Sequence, residues 1–172
     1  MKQLLKYILS QMLEHQKQAE TKHSIGIALI SAVAVVLINY ASSEVLYLKV
    51  ISLISLAFCF VALAFSFLAV SARVVSVKKY KEPRQDINYM YYKDIHNIVP
   101  SQYILGLARA YNFPDNFLPD NFELDLAKTI ISTAQRAYSK NKLFNLSLLF
   151  LFISLLLMFF SGLLGGFNGI LF

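Results

Sequence analysis

The sequence predicts an all-α membrane protein: three transmembrane helices with a mainly helical insert between the second and third. Three runs lack any ionisable side chain, Ser24 to Ser43, Val50 to Ala72 and residues 143 to 172, with lengths of 20, 23 and 30 residues. A hydrocarbon core needs about 20 apolar residues of helix, and only a helix satisfies all of its own backbone groups there. Basic residues are distributed to match. Four lie in residues 1 to 22, Lys49 alone lies between the first two runs, and eleven fall between Arg73 and Lys142. The positive-inside rule then makes the N-terminus and the insert cytoplasmic and sends the short link and the C-terminus outside. The apolar share of 57% and a mean hydropathy of +0.55 exclude an ordinary soluble domain.

Four segments follow: a cytoplasmic N-terminal helix over 1–24, a transmembrane hairpin over 25–72, a cytoplasmic helical insert over 73–142 and a third span over 143–172. The net charge of +6 lies wholly on the cytoplasmic side, +2 before the first span and +4 in the insert. It serves as topogenic bias toward anionic lipid or as a receiver for an anionic ligand.

Residues 2 to 22 carry an apolar stripe at Leu5, Ile8, Leu9, Met12 and Leu13, which reads as a helix. No Gly or Pro separates it from the first span, so one nearly continuous helix is expected. The link, Ala41 to Lys49, is short enough to force an antiparallel hairpin. Along the second span Ser52, Ser55, Cys59, Ala62, Ser66 and Ala69 recur at spacings of three and four. That seam of small side chains admits another helix at close range, and packing against the first span is its plain reading. The single cysteine, Cys59, lies mid-span as a buried small residue and excludes a disulfide framework.

After Arg73 a basic stretch is expected to extend the second helix as far as Pro83. Residues 86 to 98 are ambiguous: Ile87, Tyr91 and Ile95 fit a helix, while Tyr89, Tyr91 and Tyr92 favour a strand. Pro100 and Ser101 open a short helix to about Tyr111. The loop NFPDNFLPDNF over 112–122 is built of tight turns and is anchored by three Phe. Asp120 with Glu123 forms a capping-box signature. From about Asn121 to Leu164 one long helix is expected, with Phe122, Leu126, Ile130, Ala134 and Ala137 on one stripe and glycines loosening its outer end.

In the last span Ser147, Ser154, Ser161 and Asn168 are spaced by seven, giving one polar line along the helix. Intramembrane polar groups face a bundle interior or a water-filled path, so the line serves helix packing or, in an oligomer, lines a pore. His15, His23 and His96 have no paired metal-ligand spacing, and no nucleophile elbow, P-loop or dinucleotide fingerprint occurs. Neither enzymatic activity nor a cofactor is expected.

Three stretches carry a resemblance. AETKHSIGIALI over 19–30 resembles an Ala-Asp-x-Lys-Ala pattern at the start of a first span. NYMYYKDI over 88–95 resembles an Asn-x-x-aromatic-aromatic-x-acid-Ile stretch, and ELDLAKTIISTAQRAYSKNK over 123–142 resembles a final cytoplasmic helix with a basic end. Together with the order of spans and insert they resemble the transmembrane effector family of bacterial Pycsar anti-phage systems. Glu20, His23 and Lys93 replace the Asp, the small residue and the Gly of that pattern.

The resemblance implies an inner-membrane effector controlled by a nucleotide from a companion enzyme, which disrupts the membrane and arrests or kills the infected cell. Its partners would be the bilayer, further copies of itself and the signal, whether a cyclic mononucleotide, a cyclic oligonucleotide or a short nucleic acid. Such a ligand needs cations and stacking surfaces. The insert offers Arg84, Lys93, Arg109 and Arg136 beside Tyr89, Tyr91 and Tyr92. A pore would need a ring of subunits, since three spans are too few for a conduit in one chain. The alternative is a non-conducting anchor or scaffold recruiting a soluble partner through residues 73–142. A transporter subunit fits poorly, because no ionisable residue lies inside the spans.

Overall fold

The computed structural model describes residues 1–71, 87–114 and 117–170, the last seven as backbone only. Five helices occur in these residues: α1 (Lys2–Ala41), α2 (Leu46–Ser71), α3 (Tyr92–Ile95), α4 (Pro100–Ala110) and α5 (Asn121–Ile170). No strand occurs among the described residues, as the predicted all-helical class requires. Three of the helices, α1, α2 and α5, are long and apolar enough to cross a membrane. The chain divides into a polar unit, Met1–Glu20 with Ala72–Asn141, and an apolar unit, Thr21–Ser71 with Lys142–Phe172.

The polar unit is built on the first stretch of α1, on α4 and on the first stretch of α5. The apolar stripe of α1 goes inward as Leu5, Ile8 and Met12, all without exposed surface, whereas Leu13 is exposed. From α5 come Ala127, Ile130, Ile131, Ala134 and Ala137, and from α4 Tyr103, Ile104 and Leu107. Phe122, expected on the same α5 stripe, is half exposed. Its ring instead lies beneath two ammonium groups, Lys2 Nζ at 5.8 Å and Lys6 Nζ at 6.0 Å from the centroid.

Local chemistry sets the helix ends. Pro100 stands at the first position of α4, where its missing N–H costs nothing. The far end of α4 closes as a Schellman motif: Phe113 N–H donates to Ala108 C=O and Asn112 N–H to Arg109 C=O, with Asn112 at φ 54°. At the start of α5 the capping box is complete. Glu123 N–H donates to Asp120 Oδ1 at 2.7 Å and Asp120 N–H to Glu123 Oε2 at 3.1 Å. Lys2 adds an ion pair to Asp120 at 2.7 Å. That bond and the Glu123 N–H hold the Asp120 carboxyl below its ordinary value.

In the apolar unit α2 is inside out relative to a soluble helix. Its buried residues are the six small ones, Ser52, Ser55, Cys59, Ala62, Ser66 and Ala69. Phe60, Phe67 and Leu68 are exposed, as lipid contact permits. Ile30 and Leu37 of α1, Cys59 and Ala62 of α2 and Leu151 of α5 form the centre of this unit. Phe150 stacks between Phe58 and Phe65, with centroids at 6.1 and 5.5 Å. On α1, Gly26 admits the Phe144 ring, which a Cβ would approach to 3.2 Å, and buried His23 meets that ring edge-on.

Two element boundaries differ from expectation. The turn after the first span is only Ser42 to Val45, because Leu46 to Lys49 already belong to α2. Helix α5 runs past Leu164 through the glycines to Ile170, since a glycine weakens a helix without breaking its hydrogen bonds. The basic extension after Arg73 lies outside the described residues, as does Arg84.

Candidate functional site

The segment from Asn88 to Ile98 turns before it becomes helical. The Asn88 side-chain carbonyl accepts from Met90 N–H at 3.0 Å, Tyr91 N–H donates to Asn88 C=O, and Asp94 Oδ2 accepts from Asn88 N–H at 3.2 Å. These bonds make an Asx turn that hands over to the single turn of α3, which settles the helix-or-strand ambiguity. Tyr92 and Ile95 enter the core, while Tyr91, Lys93 and Asp94 face outward.

Around that turn an aromatic and cationic cluster forms within the polar unit. The Tyr91 and Tyr92 rings lie 5.1 Å apart, and Lys93 Nζ is 5.7 Å from the Tyr91 centroid. A hydrogen bond to Tyr91, with Tyr91, Tyr92 and Tyr138 nearby, raises the Lys93 pKa and keeps the ammonium charged. Burial pushes the Tyr92 phenol up, so it stays neutral. His15 of α1 approaches Tyr92 at 5.5 Å. His96 stacks on Tyr138 of α5 at 3.9 Å and 18°, and its Nδ1–H donates to Lys93 C=O at 2.7 Å. One tertiary cluster therefore draws on α1, the 88–98 segment and α5.

Of the residues singled out in the sequence, Tyr91, Tyr92 and Lys93 come together here. Tyr89 does not join them. It lies across α4, where Gly106 leaves room for it and a Cβ would collide with its phenol. Its carbonyl accepts from the buried Tyr103 hydroxyl at 3.1 Å, and burial raises the Tyr103 pKa. Arg109 and Arg136 are exposed, and their guanidinium groups make no ion pair, hydrogen bond or ring contact among the described residues. Sequence reasoning missed His15, His96 and Tyr138. His96 follows Tyr92 by four residues, a helical spacing that hinted at a shared face.

Two residues beyond Tyr138 toward the last span, Lys140 is buried and pairs with Glu20 of α1 at 2.6 Å. Gln16 also donates to that carboxylate, at 3.1 Å. The bond from Lys140, and then that from Gln16, holds the Glu20 carboxyl below its ordinary value.

The serine line of α5 meets the seam of α2. Ser154 Oγ donates to Ser55 C=O at 2.9 Å and lies 3.2 Å from Cys59 Sγ. Ser147 Oγ donates to Ala62 C=O at 2.8 Å, which leaves Ser66 as donor to Ser147 at 2.8 Å. Later α2 residues meet earlier α5 residues, so the two helices run antiparallel. Ser161 turns back on its own helix, donating to Met158 C=O at 2.7 Å, and the Asn168 side chain lies outside the description. The seam's hydrogen bonds thus go to the third span rather than the first. Among the described residues no cluster of His, Cys, Asp or Glu is placed to hold a metal ion.

Three apolar helices closing on a polar seam, with a separate helical unit bearing an ammonium among aromatic rings, define a helical integral membrane protein with a polar module. The family described as the Pycsar effector protein domain matches residues 4–166, and the chain belongs to it. It is a membrane effector of anti-phage defence. No curated protein and no solved structure matches it.

Proposed function

We propose that this effector sits in the bacterial inner membrane with its polar unit in the cytoplasm. A nucleotide or oligonucleotide signal from a companion enzyme acts on that unit, and an oligomer of the chain then opens as a pore or disrupts the bilayer, arresting or killing the infected cell. One observation carries the reading. Helix α5 is unbroken from Asn121 to Ile170, bearing Tyr138 of the aromatic cluster and, nine residues further on, the first serine of the seam.

The cluster offers what a nucleotide requires. The exposed ring of Tyr91 accepts a base, and Lys93 is a charged donor for phosphate. Arg84, Tyr89, Arg109 and Arg136 remain candidates for the wider surface, and Ser147, Ser154, Ser161 and Asn168 for the pore lining. The asymmetric placement of Lys and Arg supports the proposed orientation.

The test is binding of cyclic mononucleotides, cyclic dinucleotides and short oligonucleotides to the full chain in detergent, compared with Lys93→Ala and Tyr91→Ala. Loss of a charge-assisted hydrogen bond costs about 1.5–3 kcal/mol and loss of a stacked base about 1–3 kcal/mol. Each variant should therefore weaken binding by roughly tenfold to a hundredfold and lower phage protection in parallel. Unchanged affinity in both variants would remove this cluster as the site.

A further inference from the structure

We infer that the seam between α2 and α5 is the shut form of the polar surface that each subunit of the oligomer turns to the conduction path, and that α2 supplies half of that lining through Ser52, Ser55, Cys59 and Ser66. This rests on the pore reading above. All four are buried on one face of α2, and the hydrogen bonds from Ser147 and Ser154 zip that face to α5.

Ser55 distinguishes this seam from simple close packing. The residue has no exposed surface, and its Oγ has no hydrogen-bond partner among the described residues. Positions Ser55, Ala62 and Ala69 form one line at intervals of seven, and alanine fills the other two places. Close approach of helices needs only a small residue there, so packing alone gives no use for the Ser55 hydroxyl. A buried polar group left unsatisfied calls for a reason. Water in a parted seam supplies one: the hydroxyl becomes hydrogen-bonded when α2 and α5 separate. Ser147, Ser154, Ser66 and Cys59 then turn from one another to the same water. The lining is polar yet uncharged, and it is hidden as long as the zip is closed.

Ser154→Cys tests this directly, because Cys59 is the chain's one cysteine and its Sγ lies 3.2 Å from Ser154 Oγ. The full-length variant is inserted into phosphatidylethanolamine and phosphatidylglycerol liposomes and oxidised after insertion, so the crosslink cannot impair folding. Ion efflux is measured with cyclic mononucleotides, cyclic dinucleotides and the low-molecular-mass filtrate of phage-infected cells carrying the effector and its companion enzyme. Efflux should appear in the reduced protein, fall to the level of empty liposomes on oxidation, and return on reduction. In Cys59→Ala with Ser154→Cys, oxidant should change nothing. Equal efflux from crosslinked and reduced protein would overturn the seam as the path while leaving the pore standing. No efflux from the reduced protein or the parent with any of these probes would overturn the pore itself, and the seam proposal with it.

Discussion

Replacing Glu20 with alanine removes the carboxylate that faces Lys140. The ammonium end of that pair is 7% exposed and the carboxylate end 48%, which places it between two limits. An exposed pair contributes about 0.2–1 kcal/mol, whereas truncating one partner of a fully buried pair costs about 3–5 kcal/mol. An intermediate cost of about 2 kcal/mol corresponds to a fall in Tm of roughly 4–8 °C for a chain of this size. The sign of the pH effect follows from the depressed Glu20 pKa. Its contribution is present above the ordinary carboxyl value of 4.5 and is lost as pH falls through the lower folded value. Melting of the full chain in detergent, followed by far-UV circular dichroism, should show the variant below the parent at neutral pH, with the gap closing in acid. Glu20→Lys combined with Lys140→Glu should recover part of the loss. A variant that melts with its parent at neutral pH, or a charge swap no better than the single change, would refute the assignment.

Gly106→Ala should displace Tyr89 from α4 at about 1–3 kcal/mol, the usual cost of overpacking, and denaturant titration with near-UV tyrosine circular dichroism reads both effects. Asp120→Ala removes the reciprocal cap of α5, so hydrogen exchange at Phe122 to Leu124 should quicken at fixed pH; in the parent the protection of the same amides, relative to an unstructured peptide at the same pH, should fall as pH drops through the depressed Asp120 value. Ser154→Ala should cost about 0.6 kcal/mol and no more than about 1.7 kcal/mol, the range for hydrogen bonds between membrane helices. Ser154→Leu should cost about 1–3 kcal/mol, because that position has no exposed surface; unfolding by graded detergent denaturation separates the two, and equal values would show that α2 and α5 are not closely apposed there.

The spans were legible because the bilayer makes a one-dimensional demand, about 20 uncharged residues in a row. The buried face of α2 was legible for a similar reason: small residues at spacings of three and four mark a face whatever covers it. Which helix covers it is a tertiary fact. The periodicity of Ser147, Ser154 and Ser161 matches that of the α2 seam, and only the fold shows that Ser147 and Ser154 hydrogen-bond to it. Between Asn88 and Tyr91, aromatic density imitated a strand, while the decisive element was the Asn88 side chain binding its neighbours' backbone. Tyr91, Tyr92 and Lys93 are adjacent in sequence and were readable as a group. His15 and Tyr138 lie 77 and 46 residues from Tyr92, beyond the reach of any local pattern.

The polar unit is assembled from chain segments made far apart in time. The core cluster that holds Leu5, Ile8 and Met12 is complete only when Ile130, Ala134 and Ala137 have been synthesised. At about 5–20 residues per second that interval is roughly 6–25 s. The hairpin of α1 and α2 thus leaves the ribosome well before the module that accompanies it can fold. Helix α5 is the last element made, and it completes both the aromatic cluster and the serine seam.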